Sequence, residues 1–424
     1  MRRIGLTLAC LLTPLLVSDC HSNHTPETGR LLQRGYLWQR NWPPAVAEAL
    51  QQADRRIDGV VVLGAEILWD GNKPQIVEAN ISWPALQQSK KPCALALRIA
   101  PYPGPFSGND EPIRAIAGVA QSLLAEAWSH GVTLDEFQID FDCAQDKLAG
   151  YREWLHILAT VVRPTRLVIT TLPAWLDESG FPALVREADG YVLQVHSVPT
   201  LAESGHASLC DPVLARKWVA KAAHLQLPFS VALPTYWCLA GYNPAGKLIG
   251  VAMDSVQPAW PPGTRVLEFT TNADDIARLV KEWQSSRPAG MQGMLWYRLP
   301  VATDLRNWRW PTLLAVMSGR SPAHRLQVAQ EGEAPVDFSV INAGEADESL
   351  DCSVVIRWND SSIVALDALP GWTVAQQSGK VTFTTNPNFQ LRLSPGAKVG
   401  IGWIRFEKKP ALQAEIAPQS QRPL

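Results

Sequence analysis

The strongest constraint on this chain is a repeated change of hydrophobic period. Between Arg34 and Trp296, short apolar runs alternate with longer stretches whose apolar residues recur every three or four positions. The runs are GYLW (35–38), GVVVLGAE (59–66), CALALRI (93–99), FQIDFD (137–142), LVITTL (167–172), YVLQVH (191–196), FSVALP (229–234) and GMLWY (293–297). Between most of them lie helical patterns such as PIRAIAGVAQSLLAEAWSH, KLAGYREWLHILATVV, WLDESGFPALVREA and PVLARKWVAKAAHL. Apolar runs of this kind suit strands covered on both faces, and the intervening helices supply the crossovers that parallel strands require. The spacing predicts an α/β fold, a (β/α)8 TIM-like barrel over 34–318. The second and third strands are joined by a stretch that reads as a hairpin and a short helix. After the seventh strand a long excursion, Trp237 to Asn272, with the turn-like NPAGK, predicts a subdomain inserted over the barrel mouth.

Beyond the exposed-looking linker MSGRSPAHR the helical period disappears. Alternating strands separated by Gly, Pro and Asn predict a C-terminal β-sandwich over 324–408. The Pro-, Gln- and Ser-containing tail, 409–424, reads as disordered. At the other end, Arg2 and Arg3 precede an apolar run to Val17, which reads as a signal peptide over 1–20 followed by a polar tether over 21–33. Cys20 raises a lipoprotein signal as one reading and ordinary cleavage nearby as the other; Asp19 stands where lipoproteins carry a small residue. The expected location is the periplasm or, if Cys20 is lipidated, an anchored position in the envelope. Monomeric behaviour is expected.

The net charge of −2 and the absence of a basic stripe exclude nucleic acid as a partner. Trp is abundant, 17 against 7 Tyr and 10 Phe, and flat rigid aromatics suit stacking on sugar rings. The plainer reading for Trp128, Trp154, Trp218 and Trp283, which fall in helical stretches, is packing. Seven cysteines include five beyond the leader region. Export permits disulfides, and Cys210 and Cys238, expected in loops above neighbouring strands, form the candidate pair. No CxxC and no metal-ligand spacing of the eight His is present, so neither a metal nor another cofactor is expected.

Active sites of such barrels lie at the C-terminal ends of the strands, and strand side chains alternate between faces. The alternation offers Tyr36 and Trp38 on strand one, Glu66 on strand two, and Arg98 beyond Ala94 and Ala96 on strand three. Strand four offers Asp140 and Asp142, strand six Gln194 and His196, strand seven Tyr236, and strand eight Trp296 and Arg298. Each alone has a plain structural reading, since Arg98 could neutralise an Asp and Gln194 and His196 could be satisfied core groups. Their convergence on one rim marks a site. Asp140 is expected to be the deeper carboxylate, kept ionised by Arg98 or Gln194. Asp142, nearer the opening, is expected to be the one pushed up.

Asp140-Phe-Asp142 at the end of strand four is similar to the Asp-x-x-Asp-x-Asp-x-Glu signature of chitinase-type, family 18 glycoside hydrolases. GMLWYRLPVATD resembles their last strand, and the excursion after strand seven sits where many of them carry an insertion. The layout of barrel and sandwich also resembles an exported bacterial family of unknown function. The sandwich end, LRLSPGAKVGIGWIRF, looks like the closing strands of cellulose-binding-type modules, in which Trp358, Trp372 and Trp403 would stack on sugars or, alternatively, fill the core. The family 18 pattern fails at the decisive place: its acid/base Glu falls at Ala144. Asp146 follows two residues later, where it could instead cap the next helix.

The resemblance implies a glycoside hydrolase acting on a polysaccharide or envelope glycan. Asp142 would be its general acid and Glu66 or Asp146 the second carboxylate. Arg98 and Arg298 would hold substrate acid or hydroxyl groups, and Trp38 and Trp296 would stack on the ring. A non-catalytic glycan-binding barrel and a structural envelope protein are the alternatives.

Overall fold

The computed structural model describes residues 30–71, 73–199, 208–253, 258–387 and 391–418. The leader with Cys20, and the tether as far as residue 29, lie outside the described residues. Eight parallel strands close into a barrel: β1 (Leu32–Leu37), β2 (Gly59–Asp70), β4 (Cys93–Ile99), β5 (Leu134–Phe141), β6 (Arg166–Thr171), β7 (Gly190–Gln194), β8 (Phe229–Pro234) and β12 (Met291–Tyr297), with β1 pairing both β12 and β2. The connection after β2 is the anticipated hairpin, β2 with antiparallel β3 (Lys73–Glu78), followed by the short helix α2 (Trp83–Gln88).

Helices α1 (Pro44–Ala53), α3 (Glu111–Ser129), α4 (Leu148–Val161), α5 (Phe181–Val185), α6 (Pro212–His224), α7 (Ala273–Ser285) and α8 (Trp310–Met317) wrap the barrel. Polar caps start three of them: Asp110 accepts from the Ile113 amide, Asp211 from Val213 and Leu214, and Asn272 from Asp274 and Asp275. The stretch WLDESGFPALVREA is not one helix. Its start forms a tight turn, Pro173–Asp177, and α5 is a separate short helix that begins after Gly180 with Pro182 in its first turn. Trp154, Trp175, Phe137 and Phe141 are wholly buried between sheet and helices. Inside the barrel, Tyr36, Val61, Ala94, Ala96, Val168, Val192, Ala232 and Leu295 form a separate cluster. The three alanines keep that interior open enough for larger polar groups from facing strands.

Between β8 and α7 the chain makes a three-stranded antiparallel sheet, β9 (Cys238–Tyr242), β10 (Leu248–Ala252) and β11 (Arg265–Phe269), in the order β10-β9-β11. The NPAGK turn joins β9 to β10: Asn243 Oδ1 accepts from the Lys247 amide and Gly246 takes φ +78°. The expected disulfide does not form. Cys210 and Cys238 are free, buried thiols. They belong to different apolar clusters, Cys210 under the barrel helices and Cys238 in the subdomain.

The C-terminal domain has two four-stranded antiparallel sheets. One runs β13 (Leu326–Glu331), β14 (Val336–Asn342), β21 (Lys398–Phe406), β17 (Ile363–Ala368). The other runs β18 (Trp372–Gln377), β19 (Lys380–Thr385), β16 (Cys352–Trp358), β22 (Leu412–Pro418). A small ladder of β15 (Glu348–Ser349) and β20 (Arg392–Leu393) completes it. The expected disordered tail is thus corrected: residues 412–418 form an edge strand on β16, because alternating Leu412, Ala414 and Ile416 pack on the sandwich core. Trp358 and Trp372 are buried in that core, whereas Trp403 is half-buried beside its cross-strand neighbours Asp337 and Asp367.

The two domains are firmly tied. Glu345 receives Arg320 at 2.6 Å and the Ala323 amide at 2.9 Å, while Thr312 donates to its carbonyl at 2.5 Å. Arg392 of the sandwich pairs with Glu268 at 2.6 Å and lies over the Trp237 ring. The linker is therefore pinned rather than loose.

Candidate functional site

Alternation along β5 sends Phe137, Ile139 and Phe141 into the layer under the helices. It leaves Glu136, Gln138 and Asp140 in a row on the other side, from the bottom of the barrel toward its mouth, and Asp142 follows just past the end of the strand. At the bottom, Arg34 pairs with Glu136 at 3.0 Å. Above it, wholly buried Gln138 donates to Glu136 at 2.5 Å and accepts from the Tyr36 hydroxyl at 2.9 Å. At the top sits the aspartate pair.

Asp140 is half-buried and accepts two hydrogen bonds on one oxygen, Oδ1, from Thr170 Oγ1 at 2.8 Å and Gln194 Nε2 at 3.2 Å. Burial, and then the neighbouring Asp142 charge, push its carboxyl up to about 6 against the pull of Thr170, Arg98 and Gln194. Both donors fall on Oδ1, so Oδ2 is the oxygen left for a proton. Asp142 stands exposed at the mouth. The surrounding protein still raises its carboxyl, with Arg98 opposing. The expected order is therefore reversed in part: Asp140 is indeed the deeper group and meets Gln194, but it is the one pushed furthest toward neutrality. Arg98 does not bind it directly.

Arg98 instead donates to Glu66 at 3.1 Å, and Glu66 also takes Arg40. Glu66 is only 3% exposed, so two guanidinium groups clamp a buried carboxylate. This makes it a poor second catalytic acid. Asp146 is also displaced from the role considered for it. It lies in the exposed turn Gln145–Lys147, paired with Lys147 at 3.0 Å, and it caps no helix. Ala144 is exposed beside it.

Aromatic side chains wall the mouth. Trp38 stands edge-on to Tyr36 and Tyr297, at 5.3 and 5.5 Å between ring centres. Tyr297 also meets Tyr236 edge-on at 5.6 Å and stacks on His196 at 5.8 Å. His196 donates Nδ1–H to the Ala232 carbonyl at 3.2 Å, and burial pushes it down to about 4, so it is neutral at physiological pH. Strand β12 corrects the expected phase. Trp296 is wholly buried in the outer layer and donates to Gln33 at 2.7 Å; Tyr297 faces the mouth instead. Arg298 is buried and held by Asp304 at 2.6 Å and the Met253 carbonyl at 2.9 Å, which ties the strand to the subdomain. Thr170, Tyr297 and Arg40 were not singled out from sequence. Alternation through Val168 would have found Thr170; nothing local marks the other two.

A cleft of about 590 Å³ opens between the β1 and β2 ends and the inserted sheet. Its walls include Trp38, Arg40, Glu66, Arg98, Tyr297 and Met253. Among the described residues no group of three or more His, Cys, Asp or Glu could hold a metal ion.

Residues 107–302 match a family described as a domain of unknown function (DUF3142). The matched region runs from just before α3 to just after β12. It contains Asp140, Asp142, Thr170, Gln194 and Tyr297, and leaves Trp38, Arg40, Glu66, Arg98 and the sandwich outside. No curated protein matches the sequence. Among solved structures, a chitinase from Chromobacterium violaceum is similar at 15% identity and a TM-score of 0.46, over 68% of this chain and 98% of that one. The spore cortex-lytic enzyme SleL of Bacillus cereus is similar at 12% identity and 0.48, over 70% and 76%. A chitinase from Bacteroides thetaiotaomicron gives 14% and 0.45, over 68% and 96%.

Proposed function

We propose that this barrel binds a glycan against the aromatic wall of its mouth and hydrolyses it, with Asp142 as the proton-donating carboxyl. The observation that carries the reading is the coupled pair: two carboxyls at the C-terminal end of one strand of a closed barrel, both raised, with the deeper at about 6. Below that pH the pair holds a proton between them. Asp140 Oδ2 can store it, and exposed Asp142 can deliver it to a glycosidic oxygen. Asp140 lies at the end of β5 and Asp142 just past it, so both stand on the same side of a bound sugar. The group needed on the opposite face would come from the substrate itself, such as a neighbouring amide. An exported protein of the envelope, with or without a lipid on Cys20, fits such a substrate.

A second reading, a glycan-binding barrel without catalysis, is favoured by Ala144 at the expected acid/base position and by the double ion pair that occupies Glu66. Reducing-end release from envelope and extracellular polysaccharides, measured beside binding to the same glycans, separates the two. Hydrolysis that Asp142→Asn lowers at least ~100-fold, with binding retained, supports the first reading. Binding with no release by the wild type establishes the second, and full activity of Asp142→Asn overturns the assignment of Asp142.

A further inference from the structure

We infer that the glycan taken by the cleft carries a carboxylate, and that Arg40 and Arg98 together recognise it. The inference rests on the glycan-binding reading and names its substrate class. Among the described residues, three guanidinium groups, Arg40, Arg98 and Arg298, and two carboxylates, Glu66 and Asp304, line the cleft. Arg298 and Asp304 are both buried and paired at 2.6 Å within the wall. The remaining set is two cations held on Glu66, with Asp140 and Asp142 also drawing on Arg98.

The geometry of that set is what a second anion needs. Glu66 is buried, while the side chains of Arg40 and Arg98 are 54% and 43% exposed. A buried carboxylate that anchors two half-exposed forks fixes their position without covering them. Arg40 gives Nε and Arg98 gives one terminal nitrogen to Glu66. A guanidinium has five N–H groups in a plane that matches a carboxylate with two parallel bonds. The hydroxyl groups of a neutral sugar do not use the paired donors of the fork. The aromatic edges of Trp38 and Tyr297 in the same cleft supply the surface for the ring that bears the acid. The volume falls within the usual range for a ligand site.

The test uses the full chain carrying Asp142→Asn, so that no probe is consumed. Titration calorimetry would compare uronic-acid oligosaccharides and muramic-acid-containing glycan strands with the same compounds after reduction of the carboxyl to an alcohol. At least one acidic member should bind tenfold or more tightly than its reduced partner, with affinity falling as salt rises. Arg40→Gln should bring the two members of that pair together, and Arg40→Lys should restore part of the difference. Arg40 is exposed and Glu66 keeps Arg98, so the fold should hold, which thermal unfolding checks. Equal affinity for acidic and reduced members overturns the carboxylate inference and leaves the glycan reading standing. An acid preference untouched by Arg40→Gln overturns the assignment of these arginines. No binding by any member overturns both.

Discussion

Replacing Asp140 by Asn should stabilise the barrel, and increasingly so as pH rises. Asp140 is held at about 6 in the folded chain, chiefly by burial and by Asp142, against an ordinary value of 3.8. That difference corresponds to about 3 kcal/mol between its two protonation states. The sign follows from proton binding. Below pH 4 the carboxyl is protonated whether the chain is folded or unfolded, and it contributes no difference. Between 4 and 6 the folded chain keeps a proton that the unfolded chain has released, so wild-type stability falls as pH rises through this window and stays low above it. Asn carries no charge, and its Oδ1 can still accept from Thr170 and Gln194. Arg98 is not orphaned by the change, because its ion pair is with Glu66. The variant should therefore gain at most ~3 kcal/mol over wild type between pH 4 and pH 7, or about 6 °C in the barrel's melting temperature at roughly 2 °C per kcal/mol. Scanning calorimetry of both proteins at steps of pH reads this directly. A difference that does not grow with pH, or a wild type that gains stability relative to the variant, refutes the argument that burial sets the charge of Asp140.

The same titration should appear in catalysis: glycan hydrolysis, once a substrate is found, should decline as pH rises through about 6, when the aspartate pair loses its shared proton. Trp296→Ala should cost about 3–5 kcal/mol of stability as a large-to-small core change, whereas Tyr297→Ala should weaken glycan binding more than it weakens the fold; equal effects in both assays would contradict the corrected phase of β12. Cys93, Cys143, Cys210, Cys238 and Cys352 are free and buried, so each should react with a thiol reagent only after denaturation, and a reductant should leave the melting temperature unchanged. Ending the chain at Lys409 removes β22 and should leave the sandwich aggregation-prone, read by light scattering, since Leu412, Ala414 and Ile416 no longer cover its core. The linker before β13, pinned through Glu345, should survive limited proteolysis.

What the chain determined by itself was the architecture and one face of one strand. The switching of period from two to three or four, repeated eight times, belongs to local side-chain chemistry, so the barrel strands, the hairpin after β2, the insertion and the sandwich were legible without coordinates. On β5 polar residues alternate with Phe137, Ile139 and Phe141, so one face carries a chemical label and the inward set is readable. On β12 Met294, Leu295, Trp296 and Tyr297 label neither face. Both sides of such a strand are buried, and only the closed sheet assigned Trp296 to the helices and Tyr297 to the mouth. The tertiary structure likewise decided partners. Arg98 is aligned in register with Asp140 and Glu66 on either side, and which carboxylate it serves depends on distances across the barrel rather than on sequence spacing. Arg40 joins Glu66 from a loop with no pattern at all. Charge pairing between distant segments is a property of three-dimensional proximity and burial, and it sets which aspartate keeps its proton.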